Sequence, residues 1–156
     1  MNSQDRVRPL WAALAVWGIV NMVNLLQSGG FLSRVITGNH SINHVLGYGI
    51  VTLSIPAVIV VVAFINEKSG WRHWIGPAVF LAFVVLMIFV EYIWKIEFRS
   101  PIRTDILVPY LVLFFGSIFL MGVPMFRINR RLWLGTVATT ILLLGTMLYA
   151  MYMGVG

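Results

Sequence analysis

The 156-residue chain is 60% hydrophobic and only 10% charged, with a net charge of +6 and a mean hydropathy of +0.91. Soluble domains carry about 25% charged residues, so a soluble enzyme, a nucleic-acid-binding domain and a disordered tail are all excluded. With no cysteine in the chain, disulfides, thiolate metal sites, iron–sulfur clusters and cysteine nucleophiles are excluded as well.

The 11 basic and 5 acidic residues are bunched. The intervals Arg8–Arg34, Arg34–Glu67, Arg72–Glu91, Asp105–Arg127 and the stretch after Arg131 hold 25, 32, 18, 21 and 25 residues without a formal charge. A helix crossing the ~30 Å hydrocarbon layer needs about 20 mostly apolar residues. The intervals lack the two-residue alternation of a membrane barrel, so each reads as a helix that satisfies its own backbone. The expected fold is all-α, an integral membrane bundle of five transmembrane helices forming a single domain over residues 1–156.

The first span is expected over 9–26, opened by Pro9 where a missing N–H costs nothing. It carries Asn21 and Asn24, three residues apart, either as amide glue between helices or as part of a ligand path. The following stretch, Gln27 to Ser41, is expected to lie outside the spans, with a short amphipathic segment around Phe31 to Thr37.

The second span is expected over 42–65, interrupted by Pro56. At its start His40, His44 and Tyr48 follow at i, i+4 and i+8, which places them on one helical face. Two imidazoles one turn apart can chelate a divalent metal, with Glu91 as a third ligand from another helix; the alternative reading is solvation at the membrane edge. The third span, expected over 74–96, carries Glu91 near its outer edge. An ionisable group inside a span is a functional candidate, although Lys95 four residues later offers it an ordinary i, i+4 ion pair.

The loop before span four carries Arg99 and Arg103, an anion-binding pair or simply a solvated turn. Span four is expected over 106–126. Span five, over 132–153, has a small-residue face of Gly135, Thr136, Ala138, Thr139 and Thr140 suited to close packing. Lysine and arginine count seven at one set of span ends and four at the other, so the N-terminus is expected inside and the C-terminus outside. The acidic Glu91 and the amides of span one then share the outer end.

Three functional classes fit these residues. The first is a non-enzymatic multi-pass membrane protein that binds a lipid or small apolar ligand or serves as an accessory subunit. The second is a small-molecule or ion transporter or channel acting as an oligomer. The third is a membrane redox protein using a metal, haem or quinone at the outer interface. No cofactor is specified: a metal or a haem fits the histidines, and an iron–sulfur cluster does not. The expected partners are membrane lipids and further subunits, as a homo-oligomer or a larger membrane complex, with no nucleic acid. The expected setting is a prokaryotic plasma membrane.

Overall fold

The computed structural model describes residues 9–38, 41–96 and 103–154, and of Ser41, Asn43 and His44 only the backbone. Helix α1 is Leu10–Thr37, α2 Ser41–Thr52, α3 Ser54–Asn66, α4 Trp71–Met87, α5 Thr104–Ile128 and α6 Arg130–Tyr152. No strand occurs among the described residues. With α2 and α3 forming one crossing, and α4 running on to Ile93, five helices are long and apolar enough to span a membrane.

Helix α1 is the axis of the bundle and touches α2, α3, α5 and α6, while α4 packs between α3 and α5. The centre is filled by Val16, Val20 and Val23 of α1, Phe64 of α3, Phe80, Phe83 and Met87 of α4, and Met121 and Met125 of α5, all essentially inaccessible. The outward faces are the reverse of a water-soluble protein: Val58, Ile59 and Val62 on α3, and Leu134, Ile141 and Leu148 on α6, stand exposed. Contiguous apolar surface on that scale belongs against lipid.

Three local features depart from the sequence expectation. Helix α1 does not end near Leu26 but runs on to Thr37, 28 residues or about 42 Å. Gly29 and Gly30 keep right-handed helical geometry; the helix stops instead at Gly38, whose φ of 62° is left-handed and whose N–H returns to the Arg34 carbonyl at 2.9 Å. The part of the expected loop from Gln27 to Thr37, amphipathic segment included, is therefore the last three turns of α1.

Secondly, the second crossing is broken at Leu53. Pro56 has no N–H to give the Thr52 carbonyl, and its ring crowds that carbonyl, so the chain bends and restarts as α3. The hydroxyl of Ser54 steadies the bend by donating to the Val51 carbonyl at 2.6 Å.

Thirdly, α4 widens into a π-helical segment over Ile88–Ile93. It closes with Trp94 N–H donating to the Phe89 carbonyl at 2.8 Å, and Lys95 leaves it with a left-handed φ of 49°. The wider turn lets three consecutive residues, Val90, Glu91 and Tyr92, face other helices.

The α4–α5 contact is the most extensive in the bundle. A Cβ built on Gly76 would lie 2.7 Å from the Met121 nitrogen and 2.8 Å from the Leu120 carbonyl carbon. Only a glycine lets the two backbones meet there. Just past the C-terminal end of α5, Asn129 caps α6, its side-chain oxygen accepting from the N–H groups of Arg131 at 2.9 Å and Leu132 at 3.4 Å.

Candidate functional site

Polar residues inside the crossings fall into two groups. The first joins α1 to α6. Asn21 donates to the Trp17 carbonyl at 2.7 Å and to Thr136 Oγ1 at 3.2 Å, and accepts from Thr139 Oγ1 at 2.7 Å. Asn24 donates to Thr139 and Thr140, both at 3.0 Å. Its own Oδ1 is buried with no hydrogen-bond partner among the described residues. Trp17 adds a 2.8 Å bond from its indole N–H to the Leu132 carbonyl. Both amides thus face the threonine stripe of the last helix and hold two helices together.

The second group lines a cavity between α1, α2, the π segment and α5. Its polar walls are Gln27 and Arg34 from α1, Glu91 from the π segment and Tyr110 from α5; Gly47 and Met87 close the sides. Water centres can occupy about 30 Å³ of it, where a single water needs roughly 10–15 Å³. The space therefore admits about two small polar groups.

Each wall has a local reason. Gln27, Gly30 and Arg34 follow at i, i+3 and i+7, one face of α1, and the absent side chain at Gly30 leaves room between the two long ones. Arg34 is 5% exposed. It occupies the last turn of α1, where a cation complements the helix dipole, and its guanidinium lies 5.4 Å from the centre of the Phe31 ring. Tyr110 is fixed at both ends: Phe83 meets its ring edge-on at 5.1 Å, and its hydroxyl donates to Glu91 Oε1 at 2.9 Å. At Gly47 the hydroxyl of Tyr92 rests where a Cβ would be, so any larger residue there displaces the tip of that ring.

The result is a buried cation and a carboxylate on the walls of one small space, beside an amide and a phenol. Polar sets of this kind can hold a small polar group. A second cavity, near His73 at the other end of the bundle, is lined almost wholly by apolar side chains such as Val16, Phe64 and Met125. Between the two lie Phe80, Phe83 and Phe114, all buried, and Met121 on the inner wall of the second cavity.

Among the described residues singled out from the sequence, only Glu91 reaches this cavity. Asn21 and Asn24 are engaged with α6. Tyr48 is 60% exposed and stacks on Tyr92 with ring centres 5.0 Å apart. Arg103 forms an exposed ion pair with Asp105 at 2.9 Å. His40, the His44 side chain and Arg99 lie outside the described residues. Among the described residues no group of three histidine, cysteine or acidic side chains comes together. The expected Glu91–Lys95 pair is replaced by the Tyr110 contact, because the π turn and the left-handed Lys95 remove their i, i+4 adjacency and leave Lys95 exposed.

Arg34, Gln27 and Tyr110 were not among the sequence candidates. For Gln27 and Arg34 the signal is their i, i+7 spacing, which carries no weight once the first span is ended at Leu26. Tyr110 carries a weaker signal: a tyrosine within an apolar run needs a partner for its hydroxyl, and only the fold names that partner. Compared with protein-family models, curated proteins and solved structures, the chain matches none of them.

Proposed function

We propose that this is a non-enzymatic membrane protein that binds a lipid or other small amphipathic ligand at the Glu91 end of the bundle, acting alone or as a subunit of a larger membrane assembly. The observation that carries the reading is Arg34, a cation buried at 5% exposure beside Glu91 on the wall of a cavity large enough for about two small polar groups. A buried ionised group is costly unless its surroundings are built for it. The inserted orientation has the N-terminus in the cytoplasm, on the strength of the lysine and arginine count, in the plasma membrane of a prokaryote. The cavity then opens outside.

The transport reading draws on the same carboxylate, since π turns are frequent at functional sites and acids inside spans mark ion and proton pathways. The packed phenylalanines and Met121 in the middle of the bundle weigh against a path to the other side. The metal, haem or quinone reading rests on His40 and His44, with Glu91 as the third group.

Native mass spectrometry of the protein released in a mild detergent tests the reading. The expected result is a 17.6 kDa chain, or a multiple of it, retaining one lipid-sized mass per chain. Loss of most of that mass is expected in Arg34→Gln. A chain that carries no adduct contradicts the proposal, and so does an adduct that Arg34→Gln retains at the wild-type level.

A further inference from the structure

We infer that the opposite end of the bundle carries a separate interaction surface: the turn joining α5 to α6, with Arg127, Arg130 and Arg131, binds the headgroup of an acidic phospholipid. Helix order puts the start of α1, the α3–α4 turn and the α5–α6 turn at one end. Ala13, Phe64, His73 and Ile128 line one small cavity there, which brings those chain segments together. The surface stands apart from the Glu91 cavity and does not depend on it.

Charge is the first observation. Among the described residues this end holds Lys68, Arg72, Arg127, Arg130 and Arg131 against the single acid Glu67. The end that carries Glu91 is nearly balanced, with Arg34, Lys95 and Arg103 against Glu91 and Asp105. Arg103 there is paired with Asp105 at 2.9 Å. Arg127, Arg130 and Arg131 are exposed, and their side chains make no ion pair or hydrogen bond among the described residues.

Local structure does not account for these arginines. One residue, Asn129, separates the two helices, so the three fall within five positions of chain. Asn129 is turned back on α6, its side chain taken up by the Arg131 and Leu132 N–H groups. Helix α5 opens with Asp105 in its first turn, in accord with its dipole, whereas α6 opens on Arg130 and Arg131 with no acid in its first turn. Cations at a helix N-terminus oppose the macrodipole, so helix stability is not what places them there.

Depth and donor chemistry select a lipid. No formal charge follows Arg131, so α6 enters the hydrocarbon directly after the arginines. Beside them the exposed Phe126 meets the Trp133 ring edge-on at 5.1 Å, and Trp11 and Trp71 are exposed at the same end. Aromatic side chains gather at the membrane–water interface, which sets the guanidinium groups at the level of the lipid phosphates. Arginine presents a planar fork of donors that matches phosphate oxygens. Basic clusters just beyond a membrane helix attract acidic lipids, each cation adding about fivefold to the affinity. A zwitterionic lipid brings its own cation to the cluster; an acidic one does not.

The test offers phosphatidylglycerol and phosphatidylcholine in equal amounts to the full chain in mild detergent, read by native mass spectrometry. The wild type is expected to hold phosphatidylglycerol at least tenfold more strongly. Arg127→Gln, Arg130→Gln and Arg131→Gln combined should bring that preference to within about threefold, whereas Arg103→Gln at the other end should leave it unchanged. An excess of soluble glycerophosphoglycerol, which has the headgroup without the chains, should not displace the lipid.

Equal retention of the two lipids by the wild type overturns the proposal, as does a tenfold preference that survives the triple substitution. Displacement by glycerophosphoglycerol would make the surface a site for soluble anions and overturn it as well. A preference abolished by Arg34→Gln and kept by the triple variant would place the acidic lipid in the Glu91 cavity, again against this surface. The wild-type comparison needs no variant, so a substitution that fails to fold leaves the test decisive.

Discussion

Replacing Gly76 by alanine is expected to lower the unfolding free energy of the protein in detergent by about 1–2 kcal/mol, whereas Gly116→Ala on the partner helix should leave it unchanged or raise it. Alanine is the better helix former by up to about 1 kcal/mol, so propensity alone favours both changes. Gly116 has nothing within 4 Å of a built Cβ and can take that gain. At Gly76 the new methyl meets the backbone of Leu120 and Met121 at 2.7–2.9 Å. No rotamer change relieves a clash with backbone, so α4 and α5 must separate, and overpacking of this kind costs about 1–3 kcal/mol. The opposite signs of two identical substitutions make the comparison decisive. A Gly76→Ala protein as stable as Gly116→Ala would mean that the helices do not approach this closely.

The second large effect is expected at Thr139, which joins the two amides of α1. Thr139→Val keeps the shape of the side chain but removes the donor to Asn21 and the acceptor for Asn24 in one step. Interhelical hydrogen bonds in membranes average about 0.6 kcal/mol and reach about 1.7, so losing two and leaving a buried acceptor on Asn21 should cost about 1–3 kcal/mol. Asn24→Leu should cost less. It gives up two bonds to Thr139 and Thr140 but also removes the unpartnered Oδ1, and removing a buried unsatisfied group returns its desolvation penalty. Unfolding in detergent, monitored through tryptophan fluorescence, measures both. Thr139→Val within about 0.5 kcal/mol of wild type, or Asn24→Leu as the costlier of the two, would refute this account of the α1–α6 contact.

The five helices were legible because charge is excluded from hydrocarbon, and the charge-free intervals therefore mark the crossings directly. Their ends were less legible where a charge or a glycine pair suggested a boundary that tertiary packing overrides. Gly29-Gly30 looks like a stop, yet both stay helical, Gly29 with Leu46 of α2 beside it, and Arg34 looks like a solvated loop residue, yet the bundle buries it. The threonine face of the last span could be read from its spacing, but not that Asn21 and Asn24 would meet it, since that pairing joins residues 115 or more positions apart.

The site was legible in one residue. Glu91 stands out from any sequence because an acid inside a span is rare. Its partner could not be foreseen, because the π turn that aims it at Tyr110 leaves no mark in Ile88-Phe89-Val90-Glu91-Tyr92-Ile93. Regular helical spacing pointed to Lys95 instead, and spacing rules hold only while the helix keeps 3.6 residues per turn.

The central claim is a polar cavity that opens at the Glu91 end and is sealed from the other by the packed middle of the bundle. The absence of native cysteine makes the direct test simple: single cysteines at Gln27, on the cavity wall, and at Val20, fully buried in α1, probed with a membrane-impermeant thiol reagent in oriented vesicles. The account predicts that Gln27→Cys reacts from one side only, the side away from Arg127, Arg130 and Arg131, and that Val20→Cys reacts from neither. Labelling of Gln27→Cys from the arginine side, or from no side at all, would contradict it.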